Sequence, residues 1–279
     1  MVVSLPVWAS PSSSSLALKP AEIHVWLAFY DQIEDPSLLG AYRELLSDEE
    51  RAQEPRFYFE RDRRRYLVTR ALVRSVLSRY LGIDPRRCTF PTNAYGRPSL
   101  GNIDAAALGL SFNISHTHSL IVLGVTQGRE LGVDVENVVS RAAALDVADR
   151  YFAPPEVAVL NAAPKEEQHF RFFEYWTFKE SYIKARGMGL SLPLDKFGFQ
   201  YPDDRSVEIT IDAELADDAA RWQFWQFRPT AQYLVALCAE RAGEESPAVV
   251  ARRIVPLLSE ESLTLDFPRA SRHLRANAR

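Results

Sequence analysis

The chain has 279 residues, 47% of them hydrophobic and 25% charged, with a formal net charge of −4 at pH 7. That length and apolar content suffice for one large domain or two small ones with real cores. An acidic balance argues against a grip on long nucleic acid, and no apolar run reaches the length of a membrane span.

In chain order, "MVVSLPVWASPSSSSLALKP" lacks the basic and long apolar regions of a secretory signal, so residues 1–20 read as a flexible Ser/Pro-rich leader. "EIHVWLAFYD" is a β-branched and aromatic strand. Ser47, with Glu50 three residues on, opens a helical stretch that Pro55 divides in two. Tyr66, Val73, Val76, Leu77 and Tyr80 form the stripe of the second helix, which Gly82 closes. Between Arg51 and Arg79 nine arginines face three acids, a charge that suits a small polyanionic ligand or simply a solvated basic face. "CTFPTN", "RPSL", "LSFNISHTH" and "SLIVLGVTQ" read as short strands.

The second half runs in the same order. "GVDVEN" is a strand, the stretches from Ala142 to Asn161 and from Glu166 to Gly187 are helical, and "KFGFQY", "SVEITI", "RWQFWQF" and "YLVALCAE" are strands. The pattern is α+β: two similar α/β halves, 21–127 and 128–240, each of small-domain size. Residues 241–279 read as a C-terminal extension, its apolar "VVARRIVPLL" either a docked helix or part of a disordered tail. Cys88 and Cys238 are the only cysteines, and two thiols without metal spacing point to buried small residues in a reducing, cytoplasmic setting.

The alternation in "GVDVEN" puts Asp134 and Glu136 on one strand face. Glu180 and Lys184, four apart on a helix, also share a face. Each pair alone reads plainly, as a solvent face and as a surface ion pair. Together they raise a physical problem, because two carboxylates about 4 Å apart repel by about 4 kcal/mol at an effective dielectric near 20. A third acid worsens it. Hard oxygen donors select Mg²⁺ or Ca²⁺, and Mg²⁺ commonly joins a few carboxylates to substrate phosphate. With a lysine and a cationic helix nearby, the chemistry points to a Mg²⁺ site acting on a phosphate-containing ligand. His116 and His118 share a strand face and admit a zinc reading, but no third ligand sits at a recognised spacing.

"LGVDVE" followed by "WTFKESYIKARGMGLSLPL" resembles the signature pair of the Sfp-type 4′-phosphopantetheinyl transferases. "RFYFERDRRRYLVTRALVRSVLSRYLGI" resembles the family's basic helix, "YGRPSL" its G-[KR]-P turn and "FNISHT" its N-x-S-H-[ST] strand, all in the expected order. The resemblance implies two halves related by a pseudo-twofold axis, with an active site in the cleft between them. It implies transfer of the phosphopantetheine arm of coenzyme A to a serine hydroxyl of an apo acyl or peptidyl carrier protein, leaving adenosine 3′,5′-bisphosphate. Asp134, Glu136 and Glu180 would hold Mg²⁺, with Glu180 or a metal-bound water accepting the serine proton. Lys184, His116 and Ser115 would meet the pyrophosphate, and Arg97 and Arg65 the 3′-phosphate end. Glu50 and Gln53 stand where some members carry coenzyme A-binding lysines, and Arg51 would compensate. The carrier's pathway (fatty acid, polyketide or non-ribosomal peptide) is not legible, nor is any membrane or nucleic-acid partner expected. A cleft within one chain fits a monomer. Two other readings keep the same residues: a non-catalytic module that binds carrier or coenzyme A, and a Mg²⁺-dependent nucleotide hydrolase.

"GMGLSLPL" reads as a helix stop at Gly187 and then an extended loop. Phe170, Phe173 and Trp176, spaced by three, read as a core stripe rather than as a platform for adenine.

Overall fold

A computed structural model describes residues 15–102, 106, 108–140, 142–143, 145–242 and 246–271. Most of the expected leader, residues 1–14, lies outside them. Its last part is packed: the Leu16 N–H donates to the Arg79 carbonyl at 3.1 Å, and Leu16 and Leu18 rest against the first core.

The first half begins with β1 (Glu22–Phe29), followed by α1 (Pro36–Leu45), α2 (Asp48–Gln53) and α3 (Glu60–Leu81). Ser47 and Glu50 form the expected capping box on α2, and Gly82 ends α3 in the left-handed conformation at φ 64°. Two antiparallel strands follow, β2 (Leu110–His116) and β3 (Leu120–Gln127). The second half repeats the order with β4 (Leu131–Asn137), α4 (Leu145–Tyr151), α5 (Pro154–Ala162) and α6 (Lys165–Arg186). Strands β5 (Phe197–Gln200), β6 (Ser206–Ile211), β7 (Trp222–Phe227) and β8 (Tyr233–Glu240) complete it.

Two expectations fail. "CTFPTN" and "RPSL" are not strands but a loop with a single bridge, Thr92 to Pro98. Proline removes ladder donors at positions 91 and 98, and the Asn93 side chain instead accepts the N–H groups of Tyr95 and Arg97 to form a turn. The stretch after 240 is neither a docked helix nor a loose tail where it is described. It forms β9 (Ala248–Val255), β10 (Ser259–Leu263) and β11 (Arg269–Ser271).

Those strands complete both sheets. β9 pairs parallel with β1, giving a five-stranded sheet in the order β10-β9-β1-β3-β2. β11 sits between β7 and β6 in a six-stranded sheet, β4-β8-β7-β11-β6-β5. The sheets face each other across an apolar layer that includes Val25, Leu27, Val122, Val133, Val135, Val235 and Leu237. The outer face of the first sheet is covered by α3 and α1, and that of the second by α6. Strand β8 displays the required period of two: Val235 and Leu237 face the first sheet, while Leu234, Ala236 and Cys238 face α6.

Candidate active site

β4 is the edge strand of the second sheet, and α6 lies across its outer face. Val133 and Val135 enter the inter-sheet layer, so Gly132, Asp134 and Glu136 turn toward α6. Gly132 is what allows the helix to come so close. A Cβ there would stand 1.9 Å from the Ser181 carbonyl oxygen and 2.4 Å from the Ala185 nitrogen. With the helix this near, Trp176, Glu180 and Lys184 form an i, i+4, i+8 row.

Asp134 and Glu136 are both buried, at 4% and 5% exposure. Lys184 Nζ donates to Asp134 Oδ1 at 2.6 Å and to Ser115 Oγ at 2.9 Å. Ser115 Oγ donates to Asp134 Oδ1 at 3.1 Å and accepts the Val135 N–H at 3.3 Å. One donor and two acceptor sites exhaust a hydroxyl, so Ser115 organises the acid and the lysine rather than standing ready for a ligand. Lys184 still has one donor beyond these two bonds. Trp176 Nε1 donates to Glu136 Oε1 at 3.1 Å while its indole stacks on Phe172. Glu180 is half-buried one turn before Lys184.

Asp134 Oδ2 is buried and has no hydrogen-bond partner among the described residues. Such an oxygen beside a second buried carboxylate is costly unless a cation reaches it. No three His, Cys, Asp or Glu side chains among the described residues are gathered closely enough to hold a metal by themselves. The expected three-acid cage is therefore not closed: Glu136 is turned onto the indole and half of Asp134 onto Lys184. The donors present still fit Mg²⁺, which takes one or two carboxylates together with phosphate oxygens rather than a full protein cage.

His116, at the end of β2, is exposed, yet neighbouring protein crowds its ring. That desolvation, followed by the charges of Arg65 and Lys184, lowers the imidazole pKa and keeps the ring neutral at pH 7. Arg65 of α3, His116 of β2, and Lys184 and Asp134 thus share one electrostatic neighbourhood at the seam of the two halves. His118, the other residue of the zinc reading, has its Nδ1 3.0 Å from Ser119 Oγ.

Other predicted residues are engaged elsewhere. Arg97 donates to the Ala185 carbonyl at 2.9 Å and the Leu131 carbonyl at 3.3 Å, and pairs with Glu130. It braces the end of α6 at the rim of the site, helped by Asn93 Nδ2, which donates to the Gly187 carbonyl at 2.9 Å. Arg51 donates to the carbonyls of Arg43 and Leu46 and contacts Asp48, which ties α2 to the end of α1. Several arginines of the cationic helix pair with acids from three elements: Arg70 and Arg74 with Glu50 of α2, Arg65 with Asp62 of α3 itself, and Arg79 with Glu260 of β10. Glu50 is therefore a partner of α3, and its carboxyl pKa is lowered because the Arg74 and Arg70 contacts outweigh its burial. The core stripe expected of Phe170, Phe173 and Trp176 holds for Phe173 and in part for Trp176, while Phe170 is 45% exposed; the role not foreseen is that of Trp176, whose indole N–H meets Glu136. Its spacing of four to Glu180 was the available signal, masked by the spacing of three to Phe173, which is fully buried in the core.

The fold defines a two-sheet α+β protein with a buried acid–lysine–serine cluster where its halves meet. Residues 130–238 match the model of the 4′-phosphopantetheinyl transferase superfamily, and residues 36–127 match that of the 4′-phosphopantetheinyl transferase N-terminal region. The chain is 38% identical to 4′-phosphopantetheinyl transferase HetI of Nostoc sp. over 65% of its length and 75% of the relative. It is 34% identical to 4′-phosphopantetheinyl transferase Sfp of Bacillus subtilis over 71% of its length and 84% of the relative. A Thraustochytrium phosphopantetheinyl transferase is 27% identical over 79% of this chain. The chain belongs to the 4′-phosphopantetheinyl transferase superfamily.

Proposed function

We propose that this protein moves the 4′-phosphopantetheine arm of coenzyme A onto a serine hydroxyl of an apo acyl or peptidyl carrier protein, with Mg²⁺ held by Asp134, Glu136 and Glu180. The observation that carries the reading is the buried Asp134 Oδ2, which has no donor among the described residues, beside Glu136 and the ammonium of Lys184. Bound there, Mg²⁺ would supply charge stabilisation to a diphosphate. The serine oxygen bonds to the phosphorus on the pantetheine side, the bridging P–O bond breaks, and adenosine 3′,5′-bisphosphate departs with the electron pair. Glu180 accepts the serine proton, directly or through water. The remaining donor of Lys184 and the neutral ring of His116 serve phosphate oxygens, and Arg65 adds positive potential from α3.

No helix among the described residues is long and apolar enough to cross a membrane. Cys88 and Cys238 are free and buried, which supports a cytoplasmic, reducing setting for the proposed activity. The site draws on both halves of one chain, which supports a monomer.

Intact-mass measurement of an apo carrier protein incubated with enzyme, coenzyme A and Mg²⁺ tests the reading. A carrier heavier by one phosphopantetheine arm is expected, with EDTA stopping the reaction and Mg²⁺ restoring it. No mass change would indicate a binding module. Adenosine bisphosphate without labelled carrier would indicate a hydrolase.

A further inference from the structure

Strand β2 is one edge of the first sheet and β4 one edge of the second. Where they meet, side chains take the place of a backbone ladder. Asn113 Oδ1 accepts the Val133 N–H at 2.9 Å, Ser115 Oγ accepts the Val135 N–H at 3.3 Å, and Thr117 Oγ1 accepts the Asn137 N–H at 3.2 Å. Each pair is separated by 20 residues, so the two segments run parallel and in step. Alternate N–H groups of a strand point to one edge, and these three belong to the edge of β4 that β8 leaves uncovered. Buried backbone donors must be satisfied, and here every satisfied donor flanks an acid.

We propose that Asn113, Ser115 and Thr117 form a positioning ladder that fixes the register of β4, and so holds Asp134 and Glu136 opposite Glu180 and Lys184. The inference rests on the proposed role of those acids. Its logic is geometric. A slip of one residue would turn Val133 and Val135 toward α6 and bury the acids between the sheets. A slip of two would put Glu136 where Asp134 meets Lys184. β8 alone guards against such shifts from one side, and the ladder guards the other. Ser115 connects the ladder to the chemistry, because the oxygen that takes the Val135 N–H also holds Asp134 and Lys184. Asn113 and Thr117 act only through β4, which makes them positioning residues.

The test uses Thr117→Val, which removes the acceptor at constant shape, Thr117→Ser, which keeps it, and Asn113→Ala. Amide exchange is read on the whole protein without substrate, comparing Val133 and Asn137 with residues of β8. Turnover is then measured with coenzyme A, Mg²⁺ and an apo carrier. Thr117→Val and Asn113→Ala should speed exchange at Asn137 and Val133 respectively by about tenfold. They should also lower kcat with KM for coenzyme A nearly unchanged, while Thr117→Ser restores both readouts. Wild-type exchange in Thr117→Val overturns the ladder. Faster exchange with unchanged kcat overturns its positioning role and leaves the acids' assignment standing. A fully active Asp134→Ala variant overturns that assignment, and the positioning role with it.

Discussion

At the scale of single residues, the site is a problem of buried negative charge solved from three directions. Asp134 leans on Lys184 and Ser115, while Glu136 leans on an indole N–H. Asp134→Ala and Glu180→Gln are expected to abolish carrier modification while leaving the far-UV circular dichroism unchanged. Wild-type turnover by either purified variant would remove that residue from the site. Trp176→Phe keeps an aromatic ring against Phe172 but removes the indole N–H that donates to Glu136. A hydrogen bond to a charged acceptor contributes about 1.5–3 kcal/mol to stability, so the melting temperature should fall by several degrees, and kcat/KM should fall with it as Glu136 loses its orientation. The acids and Lys184 were legible because strand and helix periodicity alone puts each pair on one face. The duties of Ser115 and Trp176 were not, because both depend on contacts made far along the chain.

At the scale of elements, the chemistry depends on how closely α6 can lie against β4. Gly132 opens that space. A methyl group at 132 would meet backbone atoms of Ser181 and Ala185, which cannot swing aside as a side chain could. Gly132→Ala should therefore cost about 1–3 kcal/mol or more in a urea melt, as overpacking does. It should also depress turnover even where the variant stays folded, because Glu180 and Lys184 move with the helix. A stable and fully active Gly132→Ala would show that close contact is not needed. On the opposite face, the buried Lys179 pins the same helix: Nζ donates to the Leu194 and Phe197 carbonyls and pairs with Glu156 at 2.8 Å. Desolvation pushes the Lys179 pKa down and that of Glu156 up, and their mutual attraction opposes both shifts. Adjacent residues 179 and 180 thus divide α6 between anchoring and the candidate chemistry. The regular elements were readable because their periods are local, whereas the reading of the loop after Cys88 as strands failed because prolines and Asn93 redirect its donors.

At the scale of the whole molecule, closure of the two sheets depends on strands of which only β9 carries a local signal, the apolar "VVARRIVPLL", which reads equally as a docked helix or part of a disordered tail. β10 carries almost no apolar signal, and the parallel partner of β9 lies more than two hundred residues away. The superfamily match ends at residue 238, so these strands also lie beyond the matched segment. One pH-sensitive contact lies beside them. His24 on β1 is buried, its Nδ1 2.6 Å from the Tyr80 hydroxyl and its Nε2 3.2 Å from Glu22. Desolvation, aided by the charge of Arg252 on β9, lowers its pKa below the ordinary 6.5, although Glu22 opposes the shift. The unfolded chain therefore binds a proton near pH 6.5 that the folded chain resists. This contribution to stability is present above that pH and is lost as pH falls toward the folded value. Urea midpoints should decline from pH 7.5 to 5.5, and His24→Gln should flatten part of that slope. Removing the tail has a larger consequence. A chain ending at Arg241 would bare the β1 edge from Glu22 to Leu27 and leave β6 and β5 without their link to β7. Unpaired edges of this length recruit other chains. The truncated protein should accumulate as aggregate, and what remains soluble should lose the cooperative melt of the full chain. A monomeric truncation with an unchanged melting temperature would mean that β9, β10 and β11 are dispensable to both sheets.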